Sequence, residues 1–278
     1  MAPSYRRALF VSDIHIGTRD AQVDYLLELL GQTRCDYLYL LGDIIDIWKM
    51  RSGWHWTGST NALIERVCQM AAEGTQVYYI PGNHDEMLRD YVGGSFYGVQ
   101  ICHEAIHETA DGRRLLLIHG DEFDSVVINN RWLAHLGSWG YDLLLWLNRH
   151  FNQLRRRLGF PYWSLSAFIK GQVKNAVNFI HGYEQALIRE ARQRGFDGIV
   201  SGHIHKACLR QIDGIQYANA GDWVESCTAL AEDAQGQLSI INWTDELRQR
   251  RSQPQSAANS VAEAHLAGTH LADVKKAA

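Results

Sequence analysis

The 278-residue chain reads as an α/β protein, with a largely parallel first sheet and a second, more antiparallel one. Three observations carry that reading. Apolar strand-like runs alternate with helical segments through the first 80 residues, as in right-handed βαβ units. After Asp85 the texture changes to short strand-like runs separated by tight turns. Clusters of Asp, Asn and His close one apolar run after another, where open α/β sheets place their ligands.

The elements follow in order. Ala8–Val11 is a continuous apolar run and predicts a buried strand. In Gln22–Leu30, Val23, Leu26, Leu27 and Leu30 recur at helical spacing. Tyr37–Leu41 is the next strand, Asn61–Glu73 a helix stopped by Gly74, and Val77–Ile80 a third strand. Gln100–Ile106 and Arg114–His119 flank Asp111-Gly112 and predict a hairpin. Ile199–Ser201, Ala207–Ile212 and Ile215–Ala218 predict further strands, with Asp213-Gly214 as a tight turn. Gln237–Trp243 is expected to close the second sheet.

Two helical blocks separate the halves. Trp132–Leu158 is rich in Trp and Leu, with Arg149 and Arg155–Arg157 close behind its apolar run. Ser164–Arg194 carries Leu165, Phe168, Ile169, Val173, Val177, Ile180, Leu187 and Ile188 on one broad face. Such helices either pack on each other and the core, or cap a site with an apolar groove and basic residues. From Asp245 the sequence turns to Ala, Gln, Ser and Arg without aromatics, which predicts a disordered or weakly helical tail. The expected organisation is one domain over 1–244, with a helical insertion at about 125–198, and a tail over 245–278.

Composition narrows the function. A net charge of −4 argues against a general nucleic-acid binder, so no nucleic-acid partner is expected. The five cysteines are scattered and odd in number, which fits a reducing compartment. The N-terminus runs straight into a strand without a signal-peptide apolar segment, and no run is long enough to span a bilayer. The expectation is a cytoplasmic protein, soluble or peripheral to a membrane. Nothing in the sequence sets the oligomeric state.

Five short segments carry the chemistry: Asp13-Ile-His15, Gly42-Asp43, Gly82-Asn83-His84-Asp85, His119-Gly120 and Gly202-His203-Ile-His205. Each alone is weak. Together they supply hard oxygen donors and imidazoles in the mix that suits Mn, Fe, Zn or Mg. Two divalent cations roughly 3.5–4 Å apart can activate water and clamp a phosphoryl group, so the set predicts a dinuclear phosphoesterase site. Asp13 and His15 are two residues apart, so an extended strand lets both reach one ion; His203 and His205 repeat the spacing, with His203 placed to complete the second ion and His205 to return to the first. Asp43 has two oxygens with which to bridge the ions. His55, His103, His107, His135, His150 and His181 lack such context and read as structural.

These motifs resemble those of the calcineurin-like metallophosphoesterase superfamily, over roughly residues 8–243. The resemblance implies a four-layer α/β/β/α sandwich. It implies that Asp13, His15, Asp43 and His205 hold one divalent ion and that Asp43, Asn83, His119 and His203 hold the other. It makes His84 the catalytic imidazole and Asp85 its orienting partner. A narrower likeness is to UDP-2,3-diacylglucosamine diphosphatases, through Leu9–Gly17, Leu40–Trp48 and the helical insertion. Those are manganese enzymes of lipid A synthesis, peripheral on the inner membrane, that release UMP and a diacylated sugar 1-phosphate. By that likeness Lys170 and Lys174 are expected to touch substrate, although the lysine spacing departs from the family's, and Asn83 is expected to offer its amide to phosphate. The best-known branch of that family has Arg where this chain has His84. An imidazole suits the more basic leaving group of an ordinary phosphoester, so other phosphodiesters, phosphomonoesters or nucleotides are the alternative substrates. A non-catalytic scaffold is the remote alternative, since degenerate relatives usually lose ligands and this chain keeps them all.

Overall fold

The computed structural model describes residues 3–50, 53–124 and 165–252. Twelve strands form two sheets among these residues. The first sheet contains β1 (Ser4–Val11), β2 (Thr33–Leu41), β3 (Gln76–Ile80), β4 (Ser95–Phe96), β5 (Val99–Ile101), β11 (Thr228–Glu232) and β12 (Leu238–Asn242). Their spatial order is β12-β11-β1-β2-β3-β5-β4. The central strands β1, β2, β3 and β5 run parallel, as the βαβ alternation requires. The second sheet contains β6 (Ala105–Glu108), β7 (Arg114–Leu117), β8 (Gly198–Ser201), β9 (Cys208–Ile212) and β10 (Ile215–Asn219), ordered β6-β7-β8-β10-β9.

The helices are α1 (Val23–Gly31), α2 (Ile47–Met50), α3 (Gly58–Ala72), α4 (Leu165–Gln193) and α5 (Trp243–Ser252). The period-2 alternation of strand side chains generates the layers. On β1, Leu9 and Val11 face α1 and α3, while Ala8 and Phe10 face the second sheet. On β7, Leu115 and Leu117 complete the inter-sheet core, while Leu116 packs outward against Tyr183, Leu187 and Ala191 of α4. The result is an α/β/β/α sandwich with three apolar cores.

Several sequence expectations change. Gln100–Ile106 is not one strand of a hairpin. Its first half is β5 in the first sheet, and the chain crosses at Cys102–Glu104 to become β6 in the second. Gln237–Trp243 does not close the second sheet, because β12 pairs with β11, which is itself laid antiparallel on β1. The fully buried, Ala-containing β11 shows no alternation and gave no sequence signal. Helix α3 begins three residues early because Thr57 and Thr60 form a capping box. The C-terminal half of α4 is an outer layer of the sandwich, so an insertion ending near 198 is too long. Helix α5 crosses the expected tail boundary at 245, since Trp243 is buried and Leu247 packs on the core. Trp132–Leu158 and residues 253–278 lie outside the described residues.

A polar pin crosses the inter-sheet core. His107 of β6 lies 2.6 Å from Glu232 of β11 through Nε2, and its Nδ1 lies 2.9 Å from the Tyr39 hydroxyl of β2. Arg7 of β1 adds an ion pair to Glu232 at 3.0 Å. His107 is therefore structural, as its sequence context implied. All five cysteines are free thiols.

Candidate active site and metal centre

Every motif residue falls just beyond the carboxyl end of a parallel strand. Asp13 and His15 follow β1, Asp43 follows β2, Asn83, His84 and Asp85 follow β3, His119 follows β7, and His203 and His205 follow β8. The two sheets bring these five loops to one edge of the sandwich. Of the eight non-glycine residues with positive φ among the described residues, five are Asp13, His15, Asp43, His203 and His205. Left-handed backbone at non-glycine residues costs of order 1–3 kcal/mol each and gathers at functional sites. Glycine is required where the loops touch: a Cβ on Gly82 would lie 2.6 Å from His119 Nε2 and 2.7 Å from the Asp43 nitrogen.

Among the described residues the donors form three groups: one is His15, Asp46 and His84, and Asp43 lies between the other two. Asp13, His15 and His205 bring ligand atoms within 4.8 Å of one another, and so do Asp43, His119 and His203. Asp43 turns one oxygen toward each of these two: Oδ2 is 3.9 Å from His15 Nε2, and Oδ1 is 3.5 Å from His119 Nε2. His205 Nε2 lies 3.2 Å from Asp13 Oδ1 and 3.3 Å from His15 Nε2. The backbone presets the ligand atoms. His119 Nδ1 donates to the Leu41 carbonyl at 2.8 Å, which leaves Nε2 as the ligand atom facing Asp43. The His203 N–H donates to Asp13 Oδ2 at 2.9 Å, and the His84 N–H donates to Asp43 Oδ1 at 2.8 Å.

Residues of this kind fit divalent cations. Asn83 Oδ1 is buried yet has no hydrogen-bond partner. Orphaned buried acceptors are rare in native proteins and call for a ligand. In the metal-free chain, burial opposes protonation of His119, but Asp43 and Asp13 hold its pKa up at about 10. His205 behaves alike: burial opposes, Asp13 prevails, and the ring sits at about 9. Cations are thus what this carboxylate-rich pocket attracts.

His84 stands beside the two groups that Asp43 faces, with Nε2 4.0 Å from Asp43 Oδ2. Asp85 does not orient it, contrary to expectation. The buried Asp85 carboxylate accepts from the N–H groups of Gly82 at 2.6 Å and Ile44 at 2.8 Å, and from the Tyr79 hydroxyl at 2.5 Å. It ties the β2 and β3 loops together. The partner of His84 is Asp46, whose Oδ1 lies 3.1 Å from His84 Nδ1. Asp46 Oδ2 lies 3.1 Å from His15 Nδ1, so one carboxylate serves both rings.

Sequence reasoning missed Asp46, although its place three residues after Asp43 was a usable signal. It missed Asp124, 2.9 Å from His203 Nε2. It also missed Asn219 and Asp222. Asn219 pins the Gly202 carbonyl at 2.5 Å, and Asp222 caps the following turn through the N–H groups of Val224 and Glu225. Lys170 and Lys174 lie on α4, in a stretch whose side chains are outside the description.

A separate apolar cavity of about 520 Å³ lies between the first sheet and α3. Ile44, Ile64, Val67, Leu88 and Val99 line it, and its rim carries exposed Tyr91 and Phe96. A sealed void of that size would cost about 12 kcal/mol at ~24 cal/mol per Å³, as much as a whole domain's stability. Open at its rim, it is a pocket of ordinary ligand-binding size.

A four-layer sandwich with oxygen and imidazole donors convergent on one shared carboxylate defines a metal-dependent phosphoester hydrolase. The sequence profile of the calcineurin-like phosphoesterases matches residues 6–207, and the chain belongs to that family. Similar curated proteins include the UDP-2,3-diacylglucosamine hydrolase of Chromohalobacter salexigens, 26% identical over 230 residues, or 77% of this chain and 88% of that one. The protein of the same name from Pseudomonas aeruginosa is 26% identical over 247 residues, covering 82% and 95%. Among solved structures, an archaeal phosphodiesterase is 11% identical, with a TM-score of 0.41 over 84% of this chain and 98% of that one.

Proposed function

We propose that this hydrolase cleaves the pyrophosphate of UDP-2,3-diacylglucosamine, giving UMP and diacylglucosamine 1-phosphate. The reading rests on one observation above others: Asp43 sets an oxygen toward each of two donor groups, the arrangement of a dinuclear phosphoryl-transfer centre. The similar proteins named for that substrate, aligned over most of their length, supply its identity. The apolar cavity one 3-10 turn (Glu86–Tyr91) beyond His84 offers volume for an acyl chain.

Asp13, His15 and His205 would hold one divalent ion, Asn83, His119 and His203 the other, and Asp43 would bridge them. Manganese is the proposed metal. Bound there, such ions lower the pKa of water and neutralise phosphoryl oxygens. The chain's own residues do the rest. Asn83 offers its amide to phosphate. His84, held by Asp46, donates toward the departing oxygen; burial opposes its protonation, and Asp46 with Asp43 more than offsets that. Lys170 and Lys174 remain proposed contacts for the anionic substrate on sequence grounds. Among the described residues no helix is long and apolar enough to cross a membrane. A lipid-linked substrate calls for action at a membrane surface, and the proposed location is the cytoplasmic face of the inner membrane.

His84 itself favours a second reading, a phosphodiesterase or phosphomonoesterase with a more basic leaving group. Release of UMP from UDP-2,3-diacylglucosamine by manganese-loaded protein separates the two. Metal-dependent release supports the lipid substrate. Hydrolysis of a simple aryl phosphodiester without UMP release removes it.

A further inference from the structure

We propose that Trp48 is a positioning residue for His84: its indole face fixes the orientation in which the imidazole meets the leaving group. This rests on the reading of His84 as the group that assists departure. Trp48 sits on α2, two residues after Asp46, and its ring centroid is 4.5 Å from that of His84 with planes 35° apart. His15 meets the same imidazole edge-on, centroids 4.6 Å apart at 87°. With Asp46 at Nδ1, His84 is contacted on three sides, and its Nε2 is left toward Asp43.

The clamp is built into the backbone. The Ile47 N–H donates to the His84 carbonyl at 3.1 Å, and the Lys49 N–H donates to Asp46 Oδ1 at 2.8 Å. A movement of α2 therefore carries the Asp46 carboxylate, the indole and the His84 backbone together. Trp48 belongs to none of the three apolar cores and remains 42% exposed. A large aromatic left that open on a four-residue helix adds little to core packing; what it covers is an imidazole. The His84 side chain is itself 25% exposed, so without the indole it could turn to other staggered rotamers. Asp46 cannot isolate this effect, because it also holds His15. Trp48 can, since its ring contact is with His84 alone among the described residues.

The test is a double-mutant cycle on full-length protein, with matched p-nitrophenyl and phenyl phosphodiesters as probes. Trp48→Ala should lower kcat by roughly tenfold to a hundredfold, the scale on which misplacing a reacting group by an ångström acts. KM and bound metal should stay as in wild type. The loss should be larger for the phenyl ester, whose leaving group needs the proton more, and Trp48→Phe should restore most of the rate. In a His84→Ala background the same substitution should add less than about twofold. An equal loss in both backgrounds, a change in KM alone, or loss of metal would overturn the assignment. If His84→Ala leaves kcat unchanged, the catalytic reading of His84 fails first and is seen to fail separately.

Discussion

Asp46→Asn is the sharpest probe of how the site is held. The carboxylate meets His15 Nδ1 and His84 Nδ1, each at 3.1 Å, and accepts the Lys49 N–H at 2.8 Å. Burial would raise the pKa of Asp46, but His15, His84 and the Lys49 N–H hold it below the ordinary carboxylate range, so it is ionised at neutral pH. Asparagine keeps the size and one acceptor oxygen and turns an NH₂ group toward one of the two rings. One charge-assisted hydrogen bond is lost, worth about 1.5–3 kcal/mol. Partners of this kind typically govern 10–100-fold in metal affinity or activity. Because His15 is the ring with the well-directed bond, manganese affinity should fall by about that factor, or ~1.4–2.7 kcal/mol. Calorimetric titration of chelator-stripped protein measures it directly. At saturating manganese, kcat should still be reduced through His84. Asp85→Asn is the contrast. Its oxygens bind backbone N–H groups and Tyr79, so it should lower stability more than it alters the metal titration. Wild-type affinity and kcat in Asp46→Asn would refute the assignment of Asp46 as the shared orienting carboxylate.

Other outcomes follow from the same contacts. Gly82→Ala places a Cβ 2.6 Å from His119 Nε2, so metal content should drop sharply while circular dichroism stays native. Glu232→Gln breaks a buried charged contact to His107 and Arg7; urea unfolding should show a loss of about 3 kcal/mol, the low end for buried pairs because Arg7 is partly exposed. Burial would raise the Glu232 pKa, but His107, the Ala110 N–H and Arg7 lower it below 4.5. A depressed folded pKa means this stabilisation is present above about pH 4.5 and is lost as pH falls through the folded value; Glu232→Gln should flatten that acid limb. With His119 near 10 and His205 near 9 in the metal-free chain, manganese binding at pH 7 should release protons. Calorimetry in buffers of differing ionisation enthalpy would detect it, and binding without proton release would contradict those values.

The strand-end motifs made the donor set legible because each sits after an apolar run that could only be a buried strand. The first sheet was legible for the same reason: β1, β2 and β3 are continuous apolar runs with helical spacing between them. What stayed hidden depended on contacts across the fold. β11 shows no alternation because both of its faces are buried, and the placement of β12 followed from it. Asp46 and Asp85 differ only in which neighbours the β2 and β3 loops bring to them, which residue spacing does not encode. Asn219 works through a backbone carbonyl of another loop, at Gly202. Trp48 ends the Leu40–Trp48 segment, but its contact with His84 emerges only once α2 sets the two rings together.

The central claim is that Asp43 serves two ions at once. Metal analysis of manganese-loaded wild type and Asp43→Ala, read beside phosphodiesterase activity, tests it most directly. The bridging arrangement predicts two manganese ions per wild-type chain, with both ions and activity lost in Asp43→Ala. Two tightly held ions in Asp43→Ala, or a single ion in fully active wild type, would contradict it.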